Sequence, residues 1–171
     1  MTPRTLHDWR WPAWAAAVAA LASGAQLAAA ILPPLALINE SPSVPRGVYL
    51  RVFGGAPVPG ALVALPQPAA SRPYLARLGM PVEVRLLKRV AAGPGDRVCR
   101  TGRRVEAGGR VVWVSPRDRH GQMLPQWRDC RILGPDELFL LGDTAASFDS
   151  RYFGPVRTTD LVGVFRESVT W

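Results

Sequence analysis

The feature that most constrains the fold of this chain is an uncharged interval at residues 11–39, close to the N-terminus. Within it, the Ala-, Leu- and Val-rich residues 13–32 would span roughly 30 Å as a helix that rises about 1.5 Å per residue. We therefore predict a single transmembrane helix. Arg4 and Arg10 precede this run and would keep its start in the cytoplasm, so the rest of the chain would lie on the outer side. The alternative is a cleaved signal peptide, with Ala28-Ala29-Ala30 as the cleavage site.

The remainder of the chain has the pattern of a mainly β domain. Short runs rich in β-branched residues alternate with Gly and Pro, and none has a sustained helical period. A Gly108-Gly109 pair predicts a hairpin at residues 103–114, and residues 69–78 could form a short helix. Further strands are predicted at residues 47–53, 61–65, 82–90, 138–141 and 161–165. The predicted organisation is a cytoplasmic tail at 1–10, a transmembrane anchor at 11–37 and one exported domain at 38–171.

Composition argues against several classes of function. The net charge is +8, but its basic residues are scattered along the chain instead of concentrated as in nucleic-acid binders, so no nucleic-acid partner is expected. Cys99 and Cys130 make an even count, which fits one disulfide if this part of the chain lies outside the cytosol. A redox-active pair is the alternative, although no C-x-x-C spacing supports it. Two Cys and two His do not suffice for a zinc site, and we expect neither a metal nor a cofactor.

Lys88 is the only lysine among the 21 basic residues of the chain, and the other 20 are Arg. An arginine cannot lose its proton in a protein, whereas a desolvated lysine can do so near neutral pH and act as a base. Lys88 is therefore a candidate general base. The other interpretation is a single lysine on a solvated strand.

Ser43 is the candidate nucleophile that a lysine base could serve. A Ser-His-Asp triad is not expected, because His7 would lie in the cytoplasm and His120 lies in a polar loop, which leaves serine activated by lysine. Pro42 and Pro45 restrict the backbone on both sides of Ser43 and would present its hydroxyl at a defined place. The alternative is that this segment is an ordinary linker after a membrane helix.

Three separated blocks resemble the S26 family of signal peptidases, and most closely its TraF-type members. Ser41-x-Ser43-x-Pro45-x-Gly47-x-Tyr49 is similar to the nucleophile block of that family. Lys88-Arg89-Val90 with Gly93-Pro94-Gly95-Asp96 is similar to the base block, and residues 142–154 are similar to the C-terminal block. Val44 after Ser43, where housekeeping signal peptidases have Met, and only 54 positions between Lys88 and Gly142, point to the TraF-type branch.

The resemblance implies a role for each matched residue. Ser43 would be the nucleophile and Lys88 its base, while Ser41 would help the backbone N–H of Ser43 form an oxyanion hole. Ser41 is also a possible rival nucleophile. Ser147 would hydrogen-bond Lys88 and orient it. Three further residues of the C-terminal block would support the site: Asp143, Asp149 and Arg151.

The resemblance also implies a fold and a function. The fold would be one N-terminal transmembrane helix followed by a mainly β domain of the signal peptidase I and LexA type. The function would be that of a membrane-bound serine endopeptidase, in the inner membrane with its catalytic domain in the periplasm. It would act on membrane-anchored precursors, cutting signal peptides or pilin leaders in connection with conjugative transfer. The alternative is a catalytically inactive, membrane-tethered β scaffold of a secretion or conjugation apparatus, and a LexA-like self-cleaving repressor would need a DNA-binding domain in place of the apolar run.

Overall fold

The chain divides into two compact units, with the boundary between Pro34 and Leu35. The computed structural model describes residues 10–31 and 33–171. In the first unit, helix α1 (Arg10–Ile31) forms from an Ala-rich segment, as the high helix propensity of alanine predicts. Of the tail predicted at residues 1–10, residues 1–9 lie outside the described residues, as does Leu32, and Arg10 begins α1.

The predicted transmembrane span has no support from the helices themselves. Among residues 10–31 and 33–171, no helix is both long enough and apolar enough to cross a membrane. Alanine contributes only modestly to hydropathy, and α1 also carries the polar residues Ser23 and Gln26.

The second unit is built on a large sheet of seven strands. Its members are β1 (Ala36–Asn39), β2 (Gly47–Val52), β3 (Leu62–Leu65), β4 (Leu86–Ala92), β9 (Glu137–Leu141), β10 (Val156–Arg157) and β11 (Gly163–Thr170). The spatial order is β1-β2-β11-β3-β4-β9-β10. Strand β11 therefore lies between β2 and β3, antiparallel to both.

A smaller sheet of four strands packs with the large one through a common core. It contains β5 (Arg97–Thr101), β6 (Arg104–Ala107), β7 (Arg110–Trp113) and β8 (Cys130–Ile132), in the order β7-β6-β5-β8. The β6–β7 turn is Gly108-Gly109, with φ of +53° and +72°, the backbone that a two-residue hairpin turn of type I′ requires. Cys99 on β5 lies opposite Cys130 on β8, and the two form a disulfide.

Two helical segments lie between the strands. Helix α2 (Arg72–Arg77) follows a 3₁₀ turn at Ala69–Ser71, and the short α3 (Ser150–Phe153) follows β9. The Asp149 carboxylate begins α3 by accepting a hydrogen bond from the backbone N–H of Arg151, which is a typical N-cap contact.

Two buried clusters of side chains stabilise this unit, and β4 contributes to both. The larger cluster joins Val90 of the large sheet to Val98 and Val105 of the small one. The smaller cluster contains Leu87 and Val44. Six of the seven β4 residues are buried and Arg89 alone is partly exposed, so the Lys88 side chain on this strand is desolvated.

The structure confirms most of the predicted elements and corrects several boundaries. The strand predicted at 161–165 is Gly163–Thr170, because its pairing with β2 continues to Thr170. The predicted strand at 82–90 begins only at Leu86, because the N–H of Val84 closes a turn on the carbonyl of Pro81 at 3.1 Å. The predicted domain start at residue 38 falls inside β1, whose residues pair with β2 from Ala36 onward. The compact β unit begins with Leu35, before that predicted start.

Candidate active site

Ser43 lies in the turn between β1 and β2, and Asn39 at the end of β1 organises that turn. The Asn39 side-chain amide donates hydrogen bonds to the carbonyls of Ser41, Val44 and Pro45, at 2.8, 3.1 and 3.0 Å. Its carbonyl oxygen accepts from the backbone N–H and the hydroxyl of Ser41, at 3.3 and 2.9 Å. One buried side chain thus fixes the whole turn, so that the Ser43 hydroxyl has a defined position.

Lys88 meets Ser43 from the middle of the large sheet. Its side chain is almost completely buried on β4, with 4% of the residue exposed, and its Nζ lies 2.7 Å from the Ser43 Oγ. The Ser41 Oγ lies 2.9 Å from the Ser43 Oγ on another side. The structure therefore brings together the three residues that the sequence places in the nucleophile and base blocks.

The environment of Lys88 changes its protonation. Burial lowers the pKa of Lys88 from 10.5 to about 8, because the charged ammonium loses its hydration. The Asp149 carboxylate raises this pKa and the Arg151 guanidinium lowers it, both by smaller amounts. About a tenth of the amine is then neutral at pH 7, and a neutral amine can accept a proton.

Asp149 and Arg151 form a buried ion pair beneath the site. Their side chains are 0% and 1% exposed, and they are joined by two hydrogen bonds of 2.8 Å. The second oxygen of Asp149 also accepts from the backbone N–H of Gly142 at 2.8 Å. The rest of the Arg151 guanidinium donates to four backbone carbonyls, those of Trp113, Thr144, Ala145 and Ser147. The pair thereby fixes the loop at residues 142–147, which fits the supporting role predicted for it.

Ser147 does not make the contact predicted from the sequence. Its hydroxyl is buried and has no hydrogen-bond partner among the residues that the structure describes, so the predicted bond to Lys88 is absent. The Ser147 side chain packs closely against Gly142, where an added Cβ would lie 1.9 Å from the Ser147 Oγ and 2.9 Å from the Ser43 carbonyl oxygen. Ser147 nevertheless lines the same cavity as Ser43 and Lys88.

Asp143 connects the C-terminal block to the nucleophile turn. Its backbone N–H donates to the Ser43 carbonyl at 2.6 Å. Its carboxylate accepts two hydrogen bonds from Arg89, at 3.0 and 2.9 Å. Because Arg89 follows Lys88 on β4, this ion pair holds the two halves of the site in register.

A cavity of about 240 Å³ opens beside the Ser43 hydroxyl. Most of its wall is apolar, including Leu75, Met80, Leu86 and Phe148. Within residues 10–31 and 33–171, no three His, Cys, Asp or Glu side chains are grouped closely enough to hold a metal ion. The polar groups at this cavity include a serine hydroxyl next to a partly neutral lysine amine.

A serine hydroxyl within hydrogen-bond distance of a buried lysine amine is the arrangement of Ser-Lys hydrolases. Residues 9–171 match the family described as signal peptidase, peptidase S26, and the chain belongs to this family. The resemblance predicted from the three sequence blocks is thereby confirmed.

Two TraF relatives agree with this assignment, and a solved structure is also similar. The chain is 35% identical over 150 residues to a plasmid transfer protein TraF of Escherichia coli, covering 80% of this chain and 84% of the relative. It is 37% identical over 147 residues to a conjugal transfer protein TraF of Agrobacterium tumefaciens strain 15955, covering 78% and 82%. A signal peptidase I from Enterococcus faecalis is a solved structure with 25% identity and a TM-score of 0.39, covering 64% of this chain and 97% of that one.

Asn39 and Arg89 are the two site residues that the sequence interpretation missed. A signal for Asn39 was present, because Asn commonly hydrogen-bonds the backbone two residues further on, and here that residue is Ser41. Arg89 gave no such signal, since its partner Asp143 is 54 positions away.

Proposed function

We propose that this protein is a serine endopeptidase of the signal peptidase I type, with Ser43 as nucleophile and Lys88 as general base. Its substrates would be membrane-anchored precursors whose signal peptides or pilin leaders are removed. The observation that carries the proposal is the 2.7 Å contact between the Ser43 Oγ and the Nζ of a buried lysine whose pKa is lowered to about 8. Two relatives described as plasmid or conjugal transfer proteins support a link to conjugative transfer.

The proposed reaction begins with proton transfer from the Ser43 hydroxyl to the neutral amine of Lys88. The Ser43 Oγ attacks the scissile carbonyl carbon, and a tetrahedral intermediate forms with negative charge on its oxygen. Lys88, now protonated, gives the proton to the leaving amine, and an acyl-enzyme remains. A water molecule then attacks the ester with Lys88 again as base, which releases the new carboxylate and restores Ser43.

Two donors are placed to stabilise the negative oxygen. The backbone N–H of Ser43 donates to no acceptor in the described part of the chain and is available for this role. The Ser41 hydroxyl lies 2.9 Å from the Ser43 Oγ and can turn from Asn39 toward the substrate. Donors aimed at developing charge in a dry site commonly supply about 3–4 kcal/mol of transition-state stabilisation.

The Cys99–Cys130 disulfide supports a location outside the cytosol. We propose that the catalytic domain lies in the periplasm, at the outer face of the cytoplasmic membrane, and that the anchor, predicted at residues 11–37, ends before the β unit, at residue 34. Mass measurement with and without reductant tests the disulfide, and two free thiols in periplasmic protein would refute it. Release of the full chain from membranes by alkaline carbonate would refute the anchor.

Cleavage of a reporter precursor tests the enzymatic proposal. Ser43→Ala removes the nucleophile, and Lys88→Arg keeps the charge but removes the titratable base, so each should abolish cleavage. Lys88→Met keeps a similar size without the charge and should also be inactive. Ser41→Ala should retain measurable cleavage, because Ser41 is placed only to assist.

The same variants separate the peptidase from the alternatives. If Ser43→Ala cleaves normally while Ser41→Ala does not, Ser41 is the nucleophile. If both variants still support processing and transfer in cells, the protein acts as a scaffold and the proposal is wrong. A circular dichroism spectrum of each variant must match that of the wild type for either conclusion.

A further inference from the structure

A second cavity, of about 580 Å³, adjoins the catalytic one. Pro42, Ala146, Ser147 and Phe148 line both cavities. Because Pro42 directly precedes Ser43, a polypeptide whose scissile bond reaches the Ser43 hydroxyl would have nearby residues at the mouth of the second cavity. Its volume lies within the range of about 300–1,000 Å³ that is typical of ligand sites.

The floor of the second cavity is apolar and aromatic. The residues Tyr74, Leu124 and Tyr152 are buried there, with exposed fractions of 5–8%. The ring of Phe148 packs between those of Tyr74 and Tyr152, with centroid separations of 4.8 and 5.4 Å. A packed aromatic surface of this kind provides a rigid contact for an apolar side chain.

The rim of the second cavity is basic. Arg117 and Arg119 are exposed in the loop between β7 and β8, and neither lies within 4.0 Å of a carboxylate anywhere in residues 10–31 and 33–171. Arg117 donates to the carbonyl of Gly121 through Nη1, and Arg119 to the ring of His120 through Nε. Each guanidinium keeps further N–H groups that can bind an anion.

Asp118, the acidic residue in the lining of the second cavity, has hydrogen-bond partners within the protein. Asp118 accepts hydrogen bonds from the Tyr74 hydroxyl at 3.0 Å and from the backbone N–H groups of His120 and Gln122 at 2.8 and 2.9 Å. Burial acts to raise the pKa of Asp118, but these hydrogen bonds outweigh it and hold the pKa below its ordinary value. Asp118 therefore fixes the loop against α2 and leaves the two arginines as the free charges of the rim.

We propose that the second cavity is a substrate subsite, which binds a segment of the precursor that carries an apolar side chain next to a carboxylate. The apolar side chain lies on the aromatic floor, and the carboxylate meets Arg117 and Arg119. The proposal rests on the peptidase function above. The residues shared by the two cavities favour one continuous polypeptide over a separate ligand such as a lipid.

A peptide panel with the full-length protein in detergent tests the subsite. Each peptide has one cleavable Ala, and a Leu-Glu pair is moved through the four positions on either side of it. A matched panel carries Leu-Lys instead. We expect at least one position at which the Leu-Glu peptide has a KM about fivefold to tenfold lower than its Leu-Lys counterpart, with similar kcat, because two partly exposed ion pairs contribute to binding.

The double variant Arg117→Glu, Arg119→Glu should reverse this preference and leave kcat unchanged. The control Arg157→Glu, Arg166→Glu makes the same change in net charge at exposed positions that line neither cavity, and it should behave as the wild type. Equal KM values for both panels, or the same preference in the double variant, would overturn the subsite. The subsite would also be overturned if the double variant cleaved both panels as the wild type does but lost binding to vesicles of anionic phospholipid.

The panel also keeps the two proposals apart. Cleavage by the wild type that Ser43→Ala abolishes supports the peptidase, whatever the panel preference. If the wild type cleaves every peptide equally, only the subsite fails. If it cleaves none of them and no precursor, the peptidase fails and the subsite with it.

Discussion

The pKa of Lys88 leads to a quantitative prediction for activity against pH. With a pKa of about 8, the neutral fraction of the amine is about 9% at pH 7 and about 91% at pH 9. Because only the neutral amine can accept the Ser43 proton, kcat/KM should rise about tenfold between pH 7 and pH 9 and level off above that. Below pH 7 it should fall about tenfold per pH unit.

Burial of Lys88 increases the neutral fraction of its amine, and it also makes the free energy of unfolding depend on pH. With the ordinary pKa of 10.5, only about 0.03% of the amine would be neutral at pH 7. Lowering the pKa to about 8 therefore increases the neutral fraction about 300-fold. As the pH falls from 10.5 to 8, the Lys88 amine becomes protonated in the unfolded chain, whereas it stays mostly neutral in the folded chain. The free energy of unfolding should therefore decrease by about 3 kcal/mol over that window and stay level below pH 8.

The assay follows cleavage of a fluorogenic Ala-containing peptide from pH 5 to pH 10, with Ser43→Ala as the background. Tryptophan fluorescence at each pH shows that the chain stays folded. Urea unfolding of Lys88→Met, which lacks the titrating group, should lose the decrease between pH 10.5 and 8. A flat activity profile from pH 5 to 10, or a midpoint near 10.5, would refute a buried lysine base.

Three substitutions test the parts that hold the site. Arg151→Met leaves the Asp149 carboxylate buried without a partner and should lower the free energy of unfolding in urea by about 3–5 kcal/mol, whereas exposed Arg157→Met should change it by less than about 0.5 kcal/mol. Gly142→Ala would place a Cβ 1.9 Å from the Ser147 Oγ and should reduce kcat/KM at least about 100-fold. The control Gly93→Ala, whose added Cβ would have its nearest neighbour at 4.0 Å, should keep kcat/KM within about twofold of the wild type. Equal rates for the two variants would contradict the close packing at Gly142. Asn39→Asp replaces a donor to three carbonyls with an acceptor. It should lower the free energy of unfolding in urea by about 1–3 kcal/mol and remove most of the cleavage activity. An unchanged variant would show that the β1–β2 turn does not depend on the Asn39 side chain.

Residues that differ from their surroundings in chemistry were predictable from the sequence. Lys88 was the single lysine of an Arg-rich chain, and Ser43 lay between two prolines in a recognisable block. The Gly108-Gly109 turn followed from local rules, because φ above zero at two successive residues favours glycine.

Features that depend on contacts distant in sequence were not predictable in the same way. Strand β1 was not predicted, and its first two residues were assigned to the anchor, because its sequence ALIN continues an uncharged stretch and only pairing with β2 makes it a strand. The short strand β8 carries no alternation of its own and is defined by β5. Ser147 was given a contact with Lys88 by resemblance, but in the described residues its buried hydroxyl packs against Gly142 and has no hydrogen-bond partner.

The position of β11 has a consequence for when the protein can become active. Ser43 lies in the β1–β2 hairpin and Lys88 lies on β4. Within the described large sheet these two parts are joined through β11, which follows the other ten described strands in sequence. Until β11 has been synthesised and has paired with β2 and β3, the Ser43 hydroxyl and the Lys88 amine lie in two parts of the chain that no strand pairing connects. A growing chain without β11 would therefore lack the strand pairing that aligns Ser43 with Lys88, and the proposed peptidase would stay unassembled until β11 is in place.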